Sequence, residues 1–361
     1  MQIAIVGGGI NGVMTAWELA RRGHAVQLLE RHSLMSGTSS ASTKLLHGGL
    51  RYLQQGDVRL VYEALHERAW WLRNAPHLTA VVEIFFPIYE HSPRGRVMLE
   101  VGLTLYDRLA GKAALGAHRW WRVSDLPPAA RGLSRHGLRG AFSYFDAQMD
   151  DSALGLWAAD QARGAGVTIA EHTEVSRIST DGEVVSSRGS HRFDVVVNAT
   201  GPWAKQILEH SDIASATRLD LVRGSHLVVG RPLSAGFALQ IPHDDRLVFA
   251  LPYHGRTLIG TTEVRQSLLD PIECSAEERQ YLLSSYNMSF AESIADNDVE
   301  TTFAGVRPLV DAGFSPNEQR RGARIETHDR TVTIFGGKWT TARTLGHRAA
   351  NAAEKLGSLR R

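Results

Sequence analysis

The charged side chains to follow in this sequence are those set among glycine or apolar neighbours. Arg51 and Tyr52 come directly after His47-Gly48-Gly49-Leu50, Arg307 sits between Val306 and Pro308, and Lys338 follows Gly336-Gly337. An arginine fork grips a phosphate or carboxylate through two parallel hydrogen bonds, and a lysine adds a point charge. Arg51, Tyr52, Arg307 and Lys338 are therefore candidates for holding the anionic end of a substrate. Arg321, crowded by Arg320 and Arg324, is a further one. His47 and His226 supply imidazoles, which exchange protons near neutral pH. Either could take a hydroxyl proton, and Arg307 could stabilise an alkoxide. Because arginine also serves carboxylates, a 2-hydroxy acid or an amino acid stands as an alternative to a phosphorylated alcohol.

The elements that must position these groups begin at the N-terminus. Residues 2–6 read as a short buried strand, and residues 11–22 as a helix with Val13, Ala16, Trp17 and Ala20 on one face. Gly7, Gly9 and Gly12 stand between them, and Glu30 ends a second strand at 25–29. This is the dinucleotide fingerprint. One glycine makes the turn, one admits a pyrophosphate, one lets helix and strand pack, and the acid binds ribose hydroxyls. The helix N-terminus offers unpaired N–H groups to the phosphates. Glu30 disfavours a 2′-phosphate, but the motif alone fits NAD or FAD. Two later segments favour a flavin. Val195 to Gly201 is a buried strand ending in small residues that admit close approach, and Phe335-Gly336-Gly337-Lys338 leads into a last helix near Thr340. A helix N-terminus at the flavin N1–C2=O edge stabilises the negative charge of reduced flavin.

Further elements follow from periodicity. Helices are expected at 57–73, around 95–110, at 152–164, 275–295 and 340–356. Strands are expected at 166–170, 193–199 and 331–335, with half-buried alternating strands at 218–230 and 246–262. Residues 33–50, rich in Ser, Thr and Gly, read as a loop over something polar. Parallel-type strands at the start, middle and end give the expected class. It is α/β, a Rossmann-like FAD-binding domain with an inserted, mainly antiparallel β-sheet substrate domain. The first would comprise 1–75, 146–215 and 326–361, and the second 76–145 and 216–325. Trp70, Trp71, Trp120 and Trp121 read as packing residues.

Composition narrows the classes. The 361 residues carry 40 basic and 38 acidic side chains, a formal charge of +2, which argues against binding nucleic acid through bulk charge. The single cysteine, Cys274, excludes an internal disulfide or a cysteine metal cluster and makes a reducing, cytoplasmic setting the default. No apolar run reaches the roughly 18 residues of a membrane span, and Ile3 to Val6 is too short for a signal peptide. Peripheral membrane contact stays open.

Residues 36–53 (SGTSSASTKLLHGGLRYL) closely resemble the flavin-proximal signature of the FAD-dependent glycerol-3-phosphate dehydrogenases and the related α-glycerophosphate oxidases. The resemblance continues, in the family's order and across nearly the whole chain, at 197–203 (VNATGPW), 223–226 (RGSH), 259–262 (IGTT), 305–309 (GVRPL) and 335–341 (FGGKWTT). It implies that Gly7, Gly9, Ile10, Asn11, Gly12, Glu30 and Arg31 hold the ADP half of FAD. Thr38, Ser39, Ser42, Lys44, Leu46 and His47 would line the pyrophosphate and flavin. Val175, Ala199, Thr200, Gly201 and Trp203 would close over the cofactor, and Gly337, Lys338, Trp339 and Thr340 would meet the flavin's pyrimidine edge. The implied reaction is oxidation of sn-glycerol 3-phosphate, or a close phosphorylated polyol, to dihydroxyacetone phosphate. Hydride would pass to flavin N5 and electrons to quinone, since no insertion of the oxidase kind has room here. There are departures. The family's common bacterial form adds a C-terminal helical domain that this sequence does not show, and its Arg-Asp-Tyr triplet reads Arg321-Gly322-Ala323. A non-catalytic FAD-binding module is the remaining alternative.

Overall fold

A computed structural model describes residues 1–242, 244–311 and 322–358. The protein has an α/β architecture built on two large sheets. The first has six strands in the order Arg324–His328, Thr331–Phe335, Val195–Asn198, Gln2–Val6, Ala25–Leu29 and Thr168–Ala170. All pairs are parallel except the first, which is an antiparallel hairpin. Its central strands are buried along their length, which is why they read as continuous apolar runs rather than alternating ones. Helices Ile10–Arg21, Asp151–Gly164 and Ala342–Ser358 pack together over one face. Their contact surfaces are Ala-rich, with Ala158, Ala159, Ala162, Ala349, Ala350 and Ala353 in one core. The approach is close enough that a Cβ on Gly346 would lie 2.8 Å from the Met14 carbonyl oxygen. The other face is covered by a three-stranded meander over residues 175–192 and helix Ala204–His210, around Val6, Val184, Val196 and Leu208.

The second sheet has ten strands, eight of them along its main path. Its pairs are antiparallel except that Gly236–Ile241 runs parallel to Thr79–Tyr89. Strand Val299–Val310 adds to Leu219–Val229. Strands Thr79–Tyr89 and Leu138–Met149 pair over their whole length, from Thr79 with Met149 to Tyr89 with Leu138. At the far edge, the two-residue strand Leu45–Leu46 pairs with Gln148 and Ala147, so the Ser/Thr-rich loop is stitched to this sheet. Helices Val58–Asn74 and Arg96–Ala110 pack over one core of this sheet, and helix Ala276–Asn287 over another. Asp57 caps the first of these by accepting from the Leu60 N–H at 3.2 Å.

Two expected elements differ. The helix expected over 275–295 ends at Asn287, whose side chain donates to Ile294 O and accepts from Ile294 N, closing a loop instead. The stretch 246–262 is a hairpin, Asp244–Tyr253 and Arg256–Gly260. It turns at His254 and Gly255, both with positive φ as a two-residue turn requires. Among the described residues no helix is long and apolar enough to cross a membrane.

Candidate active site

The nucleotide end is built by close approach. Gly7 ends the first strand at φ 107°, and a Cβ there would fall 2.6 Å from Ala199 O. A Cβ on Gly12 would fall 2.0 Å from Gly7 O. The first turn, the helix Ile10–Arg21 and the turn after Val195–Asn198 therefore meet with no room for side chains. Gly9 caps that helix without a side-chain hydrogen bond, and the first helical N–H, that of Ile10, donates to Ser39 Oγ. Glu30 accepts from the N–H groups of Gly8 at 2.6 Å and His32 at 2.9 Å, fixing the glycine turn. On the other side Asn198 accepts from Thr200 Oγ1 at 2.8 Å and donates to Ala204 O at 2.9 Å, shaping the 199–203 turn. Between them lies a cavity of about 730 Å³. Gly7, Gly9, Glu30, Arg31, Thr38, Ser39, Val175, Ala199, Thr200, Gly201 and Trp203 line it. The Arg31 guanidinium rests 4.0 Å over the Trp203 ring.

A second cavity of about 270 Å³ shares Thr38, Ala41 and Gly305 with the first. Ser42, His47, Arg51, Tyr52, His226, Arg307, Gly337, Lys338, Trp339 and Thr340 line it. The structure thus gathers the cationic candidates from three distant segments. Lys338 Nζ lies 3.6 Å from the centre of the Tyr52 ring, a cation–π contact that ties the 336–341 loop to Arg51-Tyr52. Arg307 Nη2 donates to Thr262 O at 2.7 Å, and its Nη1 lies 3.5 Å from Glu263 Oε1. Thr38 Oγ1 donates to Val306 O at 2.7 Å, joining the loop to the Arg307 strand.

Several expected cofactor residues stand elsewhere. Lys44 lines neither cavity. Its ammonium is buried, 2.6 Å from Asp151 Oδ1 and donating to Ser40 O, so it anchors the loop from behind. Leu46 and Ile10 belong to the apolar core, though the Ile10 N–H donates to Ser39 Oγ at 3.0 Å. Gly12 serves packing, and Asn11 donates to Gly336 O at 3.2 Å, joining the two glycine turns. Arg321 lies outside the described residues.

His226 is 2% exposed, stacks on Phe303, and shares a 3.0 Å hydrogen bond between Nε2 and Thr43 Oγ1. Burial above all, then Arg307 and Lys44, hold its pKa down to about 3. The imidazole is neutral at ordinary pH and a poor proton acceptor. In the unfolded chain the same group takes a proton near pH 6.5. Between these values the unfolded state binds more protons, so stability is complete above about pH 6.5 and falls as pH drops toward 3. The loss from this group should be about 2 kcal/mol between pH 7 and pH 5. Urea midpoints at the two pH values should differ less in His226→Asn than in the wild type; equal differences would show that His226 is not held neutral.

Two residues of the site, Arg246 and Glu263, belong to no sequence motif, and Trp71 does more than pack. Arg246 lines the second cavity and stacks at 4.6 Å on Tyr281. Its signal, a charge opening the apolar run Leu247–Ala250, is the same that marks Arg307. Glu263 lines the cavity beside Arg307. Trp71 donates from Nε1 to Thr340 O at 3.1 Å and packs at 5.4 Å on Trp339, whose own Nε1 donates to Ser39 O at 2.8 Å. Two indoles therefore brace the loop before the last helix.

A glycine cradle at a helix N-terminus, an acid at the end of the second strand and two adjoining cavities, the second reaching the residues before the last helix, fit a dinucleotide that carries a ring system at its far end. The chain belongs to the family of FAD dependent oxidoreductases, whose model matches residues 2–352, and its cofactor is FAD. Within that family it is 37% identical to the glycerol-3-phosphate dehydrogenase of Pseudomonas aeruginosa, over 96% of this chain and 70% of that one. It is 35% identical to the D-erythritol 1-phosphate dehydrogenase of Brucella abortus, over 98% and 73%. The solved glycerol-3-phosphate dehydrogenase from Bacillus halodurans, complexed with FAD, superposes with a TM-score of 0.78 at 27% identity, covering 98% of this chain and 64% of that one. The chain spans 62–64% of the length of the Arabidopsis thaliana mitochondrial and Staphylococcus saprophyticus relatives it also matches.

Proposed function

We propose that this protein oxidises the secondary alcohol of a small phosphorylated polyol, glycerol 3-phosphate foremost, to the ketone, dihydroxyacetone phosphate in that case, and that the electrons pass on to quinone. The observation that carries this reading is the meeting of Arg51, Arg307, Lys338 and Arg246 around one small cavity next to the 336–341 loop. Among the described residues, Glu263 and Asp146 are the carboxylates of its lining, so the cations there outnumber them, as a phosphate dianion requires. Bound FAD supplies the hydride acceptor, N5 of its ring system. Arg307 and Arg51 grip the anion and Lys338, held over Tyr52, adds its charge. His47 takes the hydroxyl proton while Arg307 steadies the developing alkoxide; His226, kept neutral, contributes as a hydrogen-bonding wall. Gly7, Gly9, Glu30 and the 199–203 turn hold the ADP half, and the residues before the last helix hold the flavin edge.

Residence in the cytoplasm with peripheral contact to a membrane belongs to the same reading. It is supported by helix Arg96–Ala110, which exposes Val97 (77%), Met98, Val101 (64%) and Leu105 beside Val58 and Tyr62 of the neighbouring helix. Such a stripe suits an interface with lipid, where quinone is found.

The test is anaerobic. Glycerol 3-phosphate added to the purified FAD-loaded protein should bleach the visible flavin band, and lactate or an amino acid should not. Bleaching by those carboxylates with none by phosphorylated polyols would overturn the assignment, and no bleaching by either would favour a non-catalytic module.

A further inference from the structure

We propose that Glu278 is a positioning residue that sets the aim of Arg307, acting through Thr262. This rests on the reading of Arg307 as a ligand of the substrate's anion.

Glu278 is the third residue of helix Ala276–Asn287 and is 4% exposed. A capping box at such a position uses the carboxylate for one contact, here the Ser275 N–H at 3.0 Å. Glu278 accepts four more. Arg223 donates twice to Oε2, from Nε at 3.0 Å and Nη2 at 2.7 Å. Ser225 Oγ and Thr262 Oγ1 donate to Oε1 at 2.8 and 2.5 Å. Thr262 Oγ1 in turn accepts from the Ser225 N–H at 2.8 Å. A single buried carboxylate therefore clamps the 223–225 strand to the Thr261-Thr262-Glu263 turn. The hydrogen bonds hold its carboxyl below the usual range in spite of burial, so it stays charged, with Arg223 as its counter-ion.

That turn is the wall of the substrate cavity. Thr261 and Glu263 line it, and between them the Thr262 carbonyl accepts from Arg307 Nη2 at 2.7 Å. Glu263 meets the other terminal nitrogen at 3.5 Å. A Cβ on Gly224, in the clamped strand, would fall 2.8 Å from Arg307 Nη2 and 2.5 Å from Thr261 Oγ1. The guanidinium is thus confined from two sides by backbone that Glu278 holds. A long flexible side chain loses entropy when it is fixed, and the bidentate fork helps only when it is aimed. Glu278 lines neither cavity, so its part is in placement.

The experiment uses the FAD-loaded protein and glycerol 3-phosphate, with steady-state kinetics, flavin content and thermal unfolding measured for each variant. Thr262→Val cuts the link and keeps the carbonyl, Thr262→Ser restores it, Glu278→Gln weakens the clamp, and Ser275→Ala removes the helix cap alone. Thr262→Val and Glu278→Gln should raise KM roughly tenfold with a smaller change in kcat, as expected for one lost charge-assisted contact. Thr262→Ser should recover the wild-type KM. Ser275→Ala should lower the unfolding temperature and leave KM alone. If Glu278→Gln does not fold, the two Thr262 variants carry the test. Arg307→Ala is the control. A raised KM there with unchanged KM in both Thr262→Val and Glu278→Gln would reduce Glu278 to a helix cap and overturn the proposal. An unchanged KM in Arg307→Ala would instead remove the anion-ligand reading, and the proposal with it.

Discussion

Arg307→Ala is expected to lower kcat/KM for glycerol 3-phosphate by at least about tenfold to a hundredfold, with FAD still bound. A hydrogen bond to a charged group contributes about 1.5–3 kcal/mol net, and about 1.4 kcal/mol is a factor of ten. A second effect adds to the first. Arg307 lies 3.5 Å from the Glu263 carboxylate, which the protein nearly covers. Removing the guanidinium leaves that carboxylate in the cavity wall, facing an incoming dianion, so attraction is replaced by repulsion. Arg307→Lys restores the charge but not the fork, and should fall between the two. Because Gly7, Gly9 and Glu30 line the other cavity, the ratio of flavin absorbance to protein should not change. Steady-state rates with an artificial electron acceptor, together with that ratio, decide the matter. Wild-type kcat/KM in Arg307→Ala with full flavin content would mean that this cavity does not hold the substrate.

The parts of this protein that could be read from the sequence share a physical cause. Gly7 and Gly12 are legible because a Cβ at either would strike backbone where three segments meet, while Gly9 has only the Ser39 hydroxyl beside it. The strands 2–6, 195–198 and 331–335 are legible because a sheet covered on both faces is apolar throughout. Arg51, Arg307 and Lys338 are legible because a charge among glycines or apolar residues needs a reason. Other parts depend on partners far away in the chain. Lys44 sits in a Ser/Thr-rich loop and looks like a phosphate ligand, yet Asp151, 107 positions on, claims it. Thr79–Tyr89 and Leu138–Met149 lack alternation because much of each is buried on both faces, so neither strand declared its length. Glu278 looks like an ordinary capping glutamate, and nothing local reveals that Arg223 and Thr262 meet it. The same holds for Trp71, whose indole reaches Thr340 across 269 positions.

The largest loss of stability is expected from Arg68→Met. Arg68 and Asp146 are both almost wholly buried, 2.7 Å apart. Arg68 also donates to the carbonyl oxygens of Phe145 and Ala113, and Asp146 accepts from Tyr106 Oη. Taking one partner from a buried pair leaves the other charge uncompensated and costs about 3–5 kcal/mol, about 5 °C in Tm for a chain of this size. The penalty should depend on pH. Burial pushes the Asp146 carboxyl up and Arg68 pulls it down; without Arg68 only the upward push and the weaker hydrogen bonds remain. Asp146 would then hold its proton in the folded state above the pH at which the unfolded chain releases it. The folded state binds the extra proton, so the variant loses stability, relative to the wild type, as pH rises from about 4. The double variant Arg68→Met, Asp146→Leu carries no stranded charge and should recover part of the loss. The damage should also reach the active site, because the Gly48 N–H, between His47 and the Arg51-Tyr52 pair, donates to Tyr106 Oη at 2.8 Å and to Asp146 at 3.3 Å. Calorimetry near pH 5 and near pH 8 tests all of this. A loss below about 1 kcal/mol, of the size seen for exposed ion pairs, or one equal at both pH values, would show that this buried pair does not anchor the loop that carries Arg51.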